Sequence, residues 1–281
     1  MSEFIKSPLN YTGGKYKLLK EIIPLFPTNI DTFVDVFGGG GNIAINVPAT
    51  NVIYNDIEPH ITGLMRYLRN VNLDTILEDI DYFISLYSLS KENKEGYLAL
   101  RNHYNEESFK SLVIFYVLIC YSFNNQFRFN SKGEFNMPFG KGRSSFNPTL
   151  RGHFIRFVTA LQKQYPLITN LDFRTFSLKY FNNLTKEDLV YCDPPYLNST
   201  ATYNEQGGWT EQDEKELLEL LDGLNKQKIR FALSNNLKYN NPLLNEWKDK
   251  YNTHYLNADY SNCSYQKRDK SKDIEVLITN Y

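Results

Sequence analysis

Short apolar runs that end in Gly, Pro or Asp are separated by segments of helical periodicity in this 281-residue chain. Alternating or continuous apolar runs predict strands at 32–37, 51–55, 167–173, 188–192, 229–235, 253–256 and 274–280. Helical spacing predicts helices from Lys15 to Pro24, from Ile43, and at 58–70, 75–87, 92–104, 108–122, 149–164, 211–224 and 242–247. The strands fall into an early group and a late group, with a purely helical stretch between them.

That order predicts a mixed α/β sheet built from both ends of the chain, with a helical segment inserted between its two parts. We predict a catalytic sheet domain at residues 1–57 and 166–281 and an inserted domain at residues 58–165. The hydrophobic content of 42% indicates a globular rather than a disordered chain.

Charge is distributed unevenly, although the formal net charge is only −1. Residues 128–156 contain six arginines and lysines against Glu134 alone, with phenylalanines and turn residues interleaved. Basic, aromatic and loop-forming residues together favour a segment that enters a nucleic-acid groove. The alternative is a solvated hairpin whose phenylalanines lie in the core.

The cysteines and histidines do not suggest a ligand set. Three cysteines without paired spacing and four scattered histidines argue against a disulfide framework and against a metal site. No apolar signal segment is visible at the N-terminus, so we expect a cytoplasmic protein. The longest apolar stretch, Leu112 to Phe123, is too short to span a membrane, so we expect a buried helix and no membrane partner.

A glycine-rich turn follows the first predicted strand, and an acid ends the second. Gly38 to Gly41 come directly after the strand, and Asp56 lies 18 residues beyond Gly38. Such a turn lets a ligand approach the backbone, and an acid at about this spacing binds ribose hydroxyls. The pattern favours a nucleoside-type ligand over a plain strand-to-helix loop. A second glycine turn, Tyr11 to Lys15, either aims Lys15 at a ligand or simply begins a helix.

The stretch Asp193-Pro194-Pro195-Tyr196 follows the apolar run 189–192. Its prolines end the strand and hold the backbone rigid, because proline lacks an N–H and has a fixed φ. The turn would present a carboxylate, unpaired carbonyls and an aromatic ring at the sheet edge where ligands bind. These groups suit a planar ring with an amino substituent, since acceptors bind its N–H groups while an aromatic side chain stacks on its face.

Five segments together resemble the Dam-type DNA adenine-N6 methyltransferases, the alpha group of the D12 class. They are Tyr11–Lys15, Asp35–Gly41, Asn55–Asp56, Arg128–Gly140 and Asp193–Tyr196. In order, they match the family's Gly-Gly-Lys box, glycine-rich cofactor box, Asn-Asp pair, recognition hairpin and catalytic box. The resemblance implies a Rossmann-like S-adenosylmethionine-dependent methyltransferase sheet with an antiparallel final strand. It also implies that the insertion is a helical DNA-recognition domain with a β-hairpin.

The resemblance implies S-adenosylmethionine as methyl donor and assigns residues to it and to the target base. The implied catalytic residues are Asp193, Pro194 and Tyr196, in a pocket for a flipped adenine. The implied cofactor-binding residues are Tyr11, Lys15, Asp35, Phe37, Gly38, Gly40, Asp56, Asp172, Phe173 and Asp193. No covalent enzyme intermediate is needed, so we interpret Cys192 as a buried strand residue.

Double-stranded DNA is the implied partner, and a restriction endonuclease that acts separately is an open second candidate. The implied DNA-binding residues are Asn10, Asn124, Gln126, Arg128, Asn130, Lys132, Pro138, Lys141, Arg143, Lys267 and Arg268. Arg128 matches a guanine-reading arginine, and Pro138 matches a position that touches a thymine methyl. Asn10 and Gln126 replace a lysine and a leucine of the bacterial Dam pattern, so GATC is one candidate site.

The implied activity is methyl transfer to N6 of adenine in a short duplex sequence. N4-cytosine, RNA and protein-amide modification are the alternatives among methyltransferases; Asp193 favours adenine, because N4-cytosine enzymes more often have serine there. A dinucleotide-dependent oxidoreductase would share the glycine turn and Asp56, but it leaves the stretch Asp193–Tyr196 unexplained. A non-catalytic DNA-binding protein would need the basic segment but no cofactor pocket.

Overall fold

The computed structural model describes residues 4–198, 208–256 and 274–281. The strands are β1 (Ile30–Asp35), β2 (Ala49–Asn55), β3 (Leu167–Thr169), β4 (Leu189–Cys192), β5 (Arg230–Asn236), β6 (Asn252–Leu256) and β7 (Glu275–Thr279). The α-helices are α1 (Leu19–Ile22), α2 (Pro59–Asn70), α3 (Leu73–Leu86), α4 (Lys94–Glu106), α5 (Leu112–Tyr121), α6 (Pro148–Gln164), α7 (Phe173–Tyr180), α8 (Glu211–Lys226) and α9 (Pro242–Trp247).

The described residues divide into two compact units. A helical unit contains the residues up to Gly14 together with Glu58–Ile168, and a sheet unit contains Lys15–Ile57 together with the described residues from Thr169 onward. Residues 4–14 therefore differ from their expected placement in the sheet domain. The reason is local contact, since Asn10 Nδ2 donates a 2.6 Å hydrogen bond to the Asn124 carbonyl.

Seven strands form one sheet in the order β3-β2-β1-β4-β5-β7-β6. β1 runs parallel to β2 and β4, and β4 runs parallel to β5. β7 is antiparallel to both of its neighbours, β5 and β6. The predicted α/β sheet with an antiparallel final strand is confirmed. The chain leaves β1 on one side and returns beside it as β4, so a topological switch point lies between the carboxyl ends of these two strands.

Apolar strands and one amphipathic helix build the core of the sheet unit. Val190, Leu233 and Ile278, on three neighbouring strands, are all fully buried in one cluster with leucines of α8. Each buried leucine or isoleucine side chain contributes roughly 1.5–3 kcal/mol to the stability of the folded state, relative to an exposed one. Helix α8 begins with a capping box, in which the Thr210 hydroxyl accepts from the Asp213 N–H and the Asp213 carboxylate accepts from the Thr210 N–H.

Helix α5 is the central element of the helical unit. Every residue from Val113 to Tyr121 is buried, and a helix that is apolar all round belongs in a core. The expected buried helix is therefore confirmed, and no helix in the described residues is long and apolar enough to cross a membrane. Between α5 and α6 the chain forms a short hairpin in which Phe129 and Phe135 make an antiparallel bridge.

Two predicted elements are wrong. The helix expected from Ile43 is only a turn with two i+4 hydrogen bonds, because Pro48 disfavours helical geometry at Val47 and leaves no room to extend it. The strand expected at 167–173 stops at Thr169, and α7, which was not predicted, begins at Phe173. Asp172 caps α7 by accepting from the Arg174 N–H, and this side-chain bond competes with strand geometry.

Candidate active site

Lys15 and Asp193 form an ion pair just beyond the carboxyl end of β4. Lys15 Nζ lies 2.7 Å from Asp193 Oδ1 and 2.8 Å from Oδ2, and the lysine side chain is only 3% exposed. Burial lowers the pKa of Lys15, but Asp193 and Glu275 outweigh burial and raise it overall. Burial raises the pKa of Asp193, while Lys15 opposes that rise. Contact between Nζ and both carboxylate oxygens favours the charged form of each group.

Tyr196 is oriented by the buried carboxylate of Glu275. Its hydroxyl donates to Glu275 Oε2 at 3.1 Å and lies 3.4 Å from Asp193 Oδ1, and Asn236 Nδ2 holds Glu275 Oε1 at 2.9 Å. Lys15 Nζ lies 5.3 Å from the centre of the Tyr196 ring. Glu275 was not among the predicted site residues; the available signal was an acid at the start of an otherwise apolar strand.

The glycine turn after β1 is tied to the end of β2. The Gly38 N–H donates to the Asn55 carbonyl at 2.7 Å, and the Gly39 N–H donates to Asp56 Oδ2 at 2.8 Å. A Cβ on Gly38 would lie 2.1 Å from the ring of Tyr54, so a larger residue does not fit without displacing that ring. The turn thereby fixes the carboxylate of Asp56 at the sheet edge.

Asn55 uses its whole amide to join three chain segments. Its Nδ2 donates to the carbonyls of Val36 and Leu171, and its Oδ1 accepts from the Thr169 hydroxyl and the Leu171 N–H. This set of bonds explains why asparagine precedes Asp56. The resemblance had identified Asn55 as half of a motif without giving it a role.

Asp35, at the end of β1, is buried without a complete set of hydrogen-bond partners. It is 1% exposed, and its Oδ1 has no hydrogen bond from any described residue. Burial, and then the charges of Asp193 and Asp56, raise its pKa well above the ordinary value of 3.8. A carboxylate oxygen without a partner, beside other carboxylates, suits a ligand with a positive charge.

An aromatic cluster lies next to the glycine turn. The rings of Phe37 and Phe173, both predicted at the cofactor, are 5.8 Å apart, and Trp209 lies 5.6 Å from the first and 5.5 Å from the second. Trp209 Nε1 donates to Glu214, which fixes the indole. Arg174 pairs with Asp172, the other predicted residue of this region. Trp209 was not predicted, because no motif contains it.

Predicted DNA-binding residues cluster on and near the hairpin of the helical unit. Arg128, Lys132, Lys141 and Arg143 are exposed, as are Asn124 and Pro138. Arg128 Nε donates to Asn136 Oδ1 at 2.9 Å, which holds the guanidinium in one orientation. Asn130 forms the turn, where its Oδ1 accepts from the N–H groups of Lys132 and Glu134. Its role in binding DNA stays a prediction.

The N-terminal segment lies against the chain that enters the hairpin. Besides the bond from Asn10 to Asn124, Gln126 Nε2 lies 3.5 Å from the Thr12 hydroxyl, and the Tyr11 ring lies 6.2 Å from that of Phe127. Asn10 and Gln126, the two departures from the Dam pattern, therefore belong to one contact region.

Three further predictions concern Tyr11, the pair Lys267 and Arg268, and Cys192. Tyr11, predicted at the cofactor, belongs to the helical unit. Lys267 and Arg268 lie outside the described residues. Cys192 is fully buried in β4, and burial raises the pKa of its thiol well above the ordinary value, which agrees with a strand residue rather than a nucleophile.

Comparison with known proteins agrees with this geometry. Residues 11–262 match the D12 class of N6 adenine-specific DNA methyltransferases, and the chain belongs to that family. It is 45% identical to the type II methyltransferase M.FokI of Planomicrobium okeanokoites, over 100% of this chain and 43% of that protein. It is 43% identical to the modification methylase StsI of Streptococcus sanguinis, over 99% of this chain and 43% of that protein.

A shorter relative is similar over nearly its whole length. The DNA adenine methylase of Escherichia coli K12 is 26% identical over 97% of this chain and 94% of its own. By contrast, the chain spans less than half the length of M.FokI and StsI.

We predict that Asp35→Asn stabilises the donor-free protein at neutral pH by at least about 1 kcal/mol. Because folding raises this pKa, the wild type loses stability as the pH rises from 3.8 through the raised value. Asparagine has no proton to lose, so the difference should shrink toward acidic pH. Denaturant unfolding across this pH range measures the difference in unfolding free energy between Asp35→Asn and the wild type.

Asp31→Asn is the matched control, because Asp31 is an exposed carboxylate on the same strand. It should leave the pH profile unchanged. An Asp35→Asn protein with the stability and pH profile of the wild type would show that Asp35 is not a buried charge.

Proposed function

We propose that this chain transfers a methyl group from S-adenosylmethionine to N6 of an adenine in a short sequence of double-stranded DNA. The observation that supports this most directly is the position of Asp193 and Tyr196. Both follow β4, beside the glycine turn that follows β1, at the switch point of the sheet. The family membership supports the same reaction.

The residues at the sheet edge suit the donor. Asp56 would bind the ribose hydroxyls, and Asp172 and Phe173 would contact the adenine. Asp35 and Phe37 would lie toward the methionine end. The unpaired oxygen of Asp35 and the acidic surroundings fit the positive charges of the donor. When bound, S-adenosylmethionine supplies a methyl group activated by a sulfonium.

Asp193, Pro194 and Tyr196 would hold the target base once it has left the duplex. Flipping costs a few kcal/mol, and stacking on the Tyr196 ring returns about 1–3 kcal/mol. The carboxylate of Asp193 and the carbonyl of Pro194 would accept the two amino hydrogens. These acceptors favour a pyramidal nitrogen and stabilise the positive charge that develops on it, so their effect is strongest in the transition state.

The exposed basic residues of the hairpin support DNA as the partner. Lys132, Lys141 and Arg143 would contact phosphates, and Arg128, held by Asn136, would read a guanine through its remaining N–H groups. The relatives named as type II methyltransferase and modification methylase support a restriction endonuclease that acts separately as a second partner.

We predict that Asp193→Ala and Tyr196→Ala each lower methyl transfer at least about a hundredfold, because each removes a group that acts on the reacting amine. Transfer of labelled methyl to duplex DNA measures this. Circular dichroism and donor binding are measured separately, since Asp193→Ala also leaves Lys15 without its partner.

Asp249→Ala and Tyr255→Ala are matched controls of the same residue types, with exposed side chains in the sheet unit. They should retain wild-type rates. Full activity in both active-site variants, with intact folding and donor binding, would overturn the proposed reaction.

We predict that Trp209 reports donor binding. The chain has two tryptophans, and Trp247 packs in the core against Phe231, so each can be studied alone. In Trp247→Phe, where Trp209 is the remaining tryptophan, S-adenosylhomocysteine should change the tryptophan fluorescence emission. In Trp209→Phe it should leave the emission unchanged. Trp209→Phe should also weaken binding about twofold to tenfold by calorimetry. Emission that responds only through Trp247 would contradict this placement.

We predict that Arg128→Ala relaxes specificity at one guanine and costs about 1–3 kcal/mol for the preferred sequence. The comparison is kcat/KM on the preferred duplex and on duplexes with one base pair changed. Lys132→Ala serves as the control and should weaken binding to all sequences equally while reducing the salt dependence. An equal loss on all sequences for Arg128→Ala would mean that it contacts only phosphate.

A further inference from the structure

One edge of the hairpin is completed by side chains of α4 rather than by a third strand. In the hairpin, the Asn130 N–H donates to the Glu134 carbonyl and the Asn136 N–H donates to the Arg128 carbonyl, both at 2.9 Å. Phe129 and Phe135 therefore form a non-hydrogen-bonded pair, in which the N–H and C=O of each residue point away from the partner strand. Phe135 is only 1% exposed, so its outward groups need partners inside the protein.

Asn105 supplies both partners. Its Oδ1 accepts from the Phe135 N–H at 2.8 Å, and its Nδ2 donates to the Phe135 carbonyl at 3.0 Å. A side-chain amide has one donor side and one acceptor, so it reproduces the pair of bonds that a neighbouring strand would make. Leucine at this position would fill similar space but would leave two polar backbone groups unpaired.

The same face of α4 also holds Met137, the next hairpin residue whose backbone carbonyl points away from the partner strand. The Tyr97 hydroxyl donates to the Met137 carbonyl at 2.8 Å, and Arg101 Nη1 lies 3.5 Å from the same oxygen. Tyr97, Arg101 and Asn105 are spaced by four residues, so they lie along one face of α4. Two alternate residues of the returning hairpin strand are thus fixed to one rigid helix.

The residue between them is Asn136, which holds Arg128. Successive residues in an extended segment point to opposite sides, so fixing Phe135 and Met137 sets the position of Asn136. Asn136 Oδ1 accepts from Arg128 Nε, and the Asn136 N–H donates to the Arg128 carbonyl. A chain of hydrogen bonds therefore runs from Asn105 through the strand to the guanidinium.

We infer that Asn105 is a positioning residue for sequence discrimination: it fixes the hairpin edge so that Arg128 meets its base at one distance and angle. This inference rests on the proposed function for the identity of the ligand, double-stranded DNA. A loosened hairpin keeps its basic charge, so it should still bind DNA while discriminating poorly.

The test compares Asn105→Leu with Asn102→Leu in the full chain. Asn102 is an exposed asparagine on the same helix, three residues before Asn105. The wild-type recognition sequence is first read from methylated positions in DNA of cells that express the protein. Discrimination is measured as kcat/KM for the preferred duplex divided by kcat/KM for a duplex in which the base pair read by Arg128 is changed. We expect Asn105→Leu to lower this ratio roughly fivefold to tenfold. Asn102→Leu should change this ratio less than about twofold.

A double-mutant cycle separates positioning from general destabilisation. In an Arg128→Ala background, Asn105→Leu should no longer change discrimination at that base pair, because the residue through which it acts is missing. An equal effect in both backgrounds would overturn the inference. The inference would also be overturned if the Phe135 amide lost its protection from hydrogen exchange in Asn105→Leu while discrimination at the Arg128 base pair stayed unchanged. If Asn105→Leu does not fold, Asn105→Ser removes the same contacts with less bulk and is read by the same outcomes.

Hydrogen exchange distinguishes a failure of the positioning role of Asn105 from a failure of the proposed function. The Phe135 amide should lose protection at least about tenfold in Asn105→Leu and not in Asn102→Leu, whether or not the protein methylates DNA. A wild type without methyl transfer would overturn the proposed function. A protected Phe135 amide in Asn105→Leu would overturn the positioning role.

Discussion

The ion pair between buried Lys15 and half-buried Asp193 is the interaction on which the sheet edge depends. Four carboxylates, those of Asp35, Asp56, Asp193 and Glu275, lie at or near the ends of the strands with little exposure, and like charges in such a place oppose folding. Lys15 neutralises part of this charge and opposes the rise in the pKa of Asp193 that burial causes. The remaining negative charge is unfavourable without a ligand and favourable for a cationic one.

This ion pair connects the start of the sheet unit to the stretch Asp193–Tyr196. Lys15 follows the turn directly, at the first residue of the sheet unit, and its side chain reaches a residue 178 positions later in the chain. Helical periodicity alone would assign this lysine to a solvated helix start. The ion pair with Asp193 instead explains why a buried cation stands at this position.

Patterns in the sequence predicted most of the sheet and nearly all of the helices, because buried strands and amphipathic helices have clear periodicities. They failed where a local side-chain bond decided the structure, as at Asp172, whose capping bond starts α7. Motifs located Asp193 and Tyr196. They did not reveal Glu275 or Trp209, because each reaches the predicted site residues only through tertiary contacts between elements distant in sequence.

Asn55 and Asn105 show how one chemical group solves the same problem in both units. Each lies where backbone N–H and C=O groups point away from any strand, and each satisfies a donor and an acceptor with a single amide. Aspartate or leucine could not do both. In the sheet unit this amide holds the loops around the predicted cofactor site, and in the helical unit it holds the predicted recognition hairpin. Neither asparagine would contact a ligand, yet each would set the geometry of residues that do.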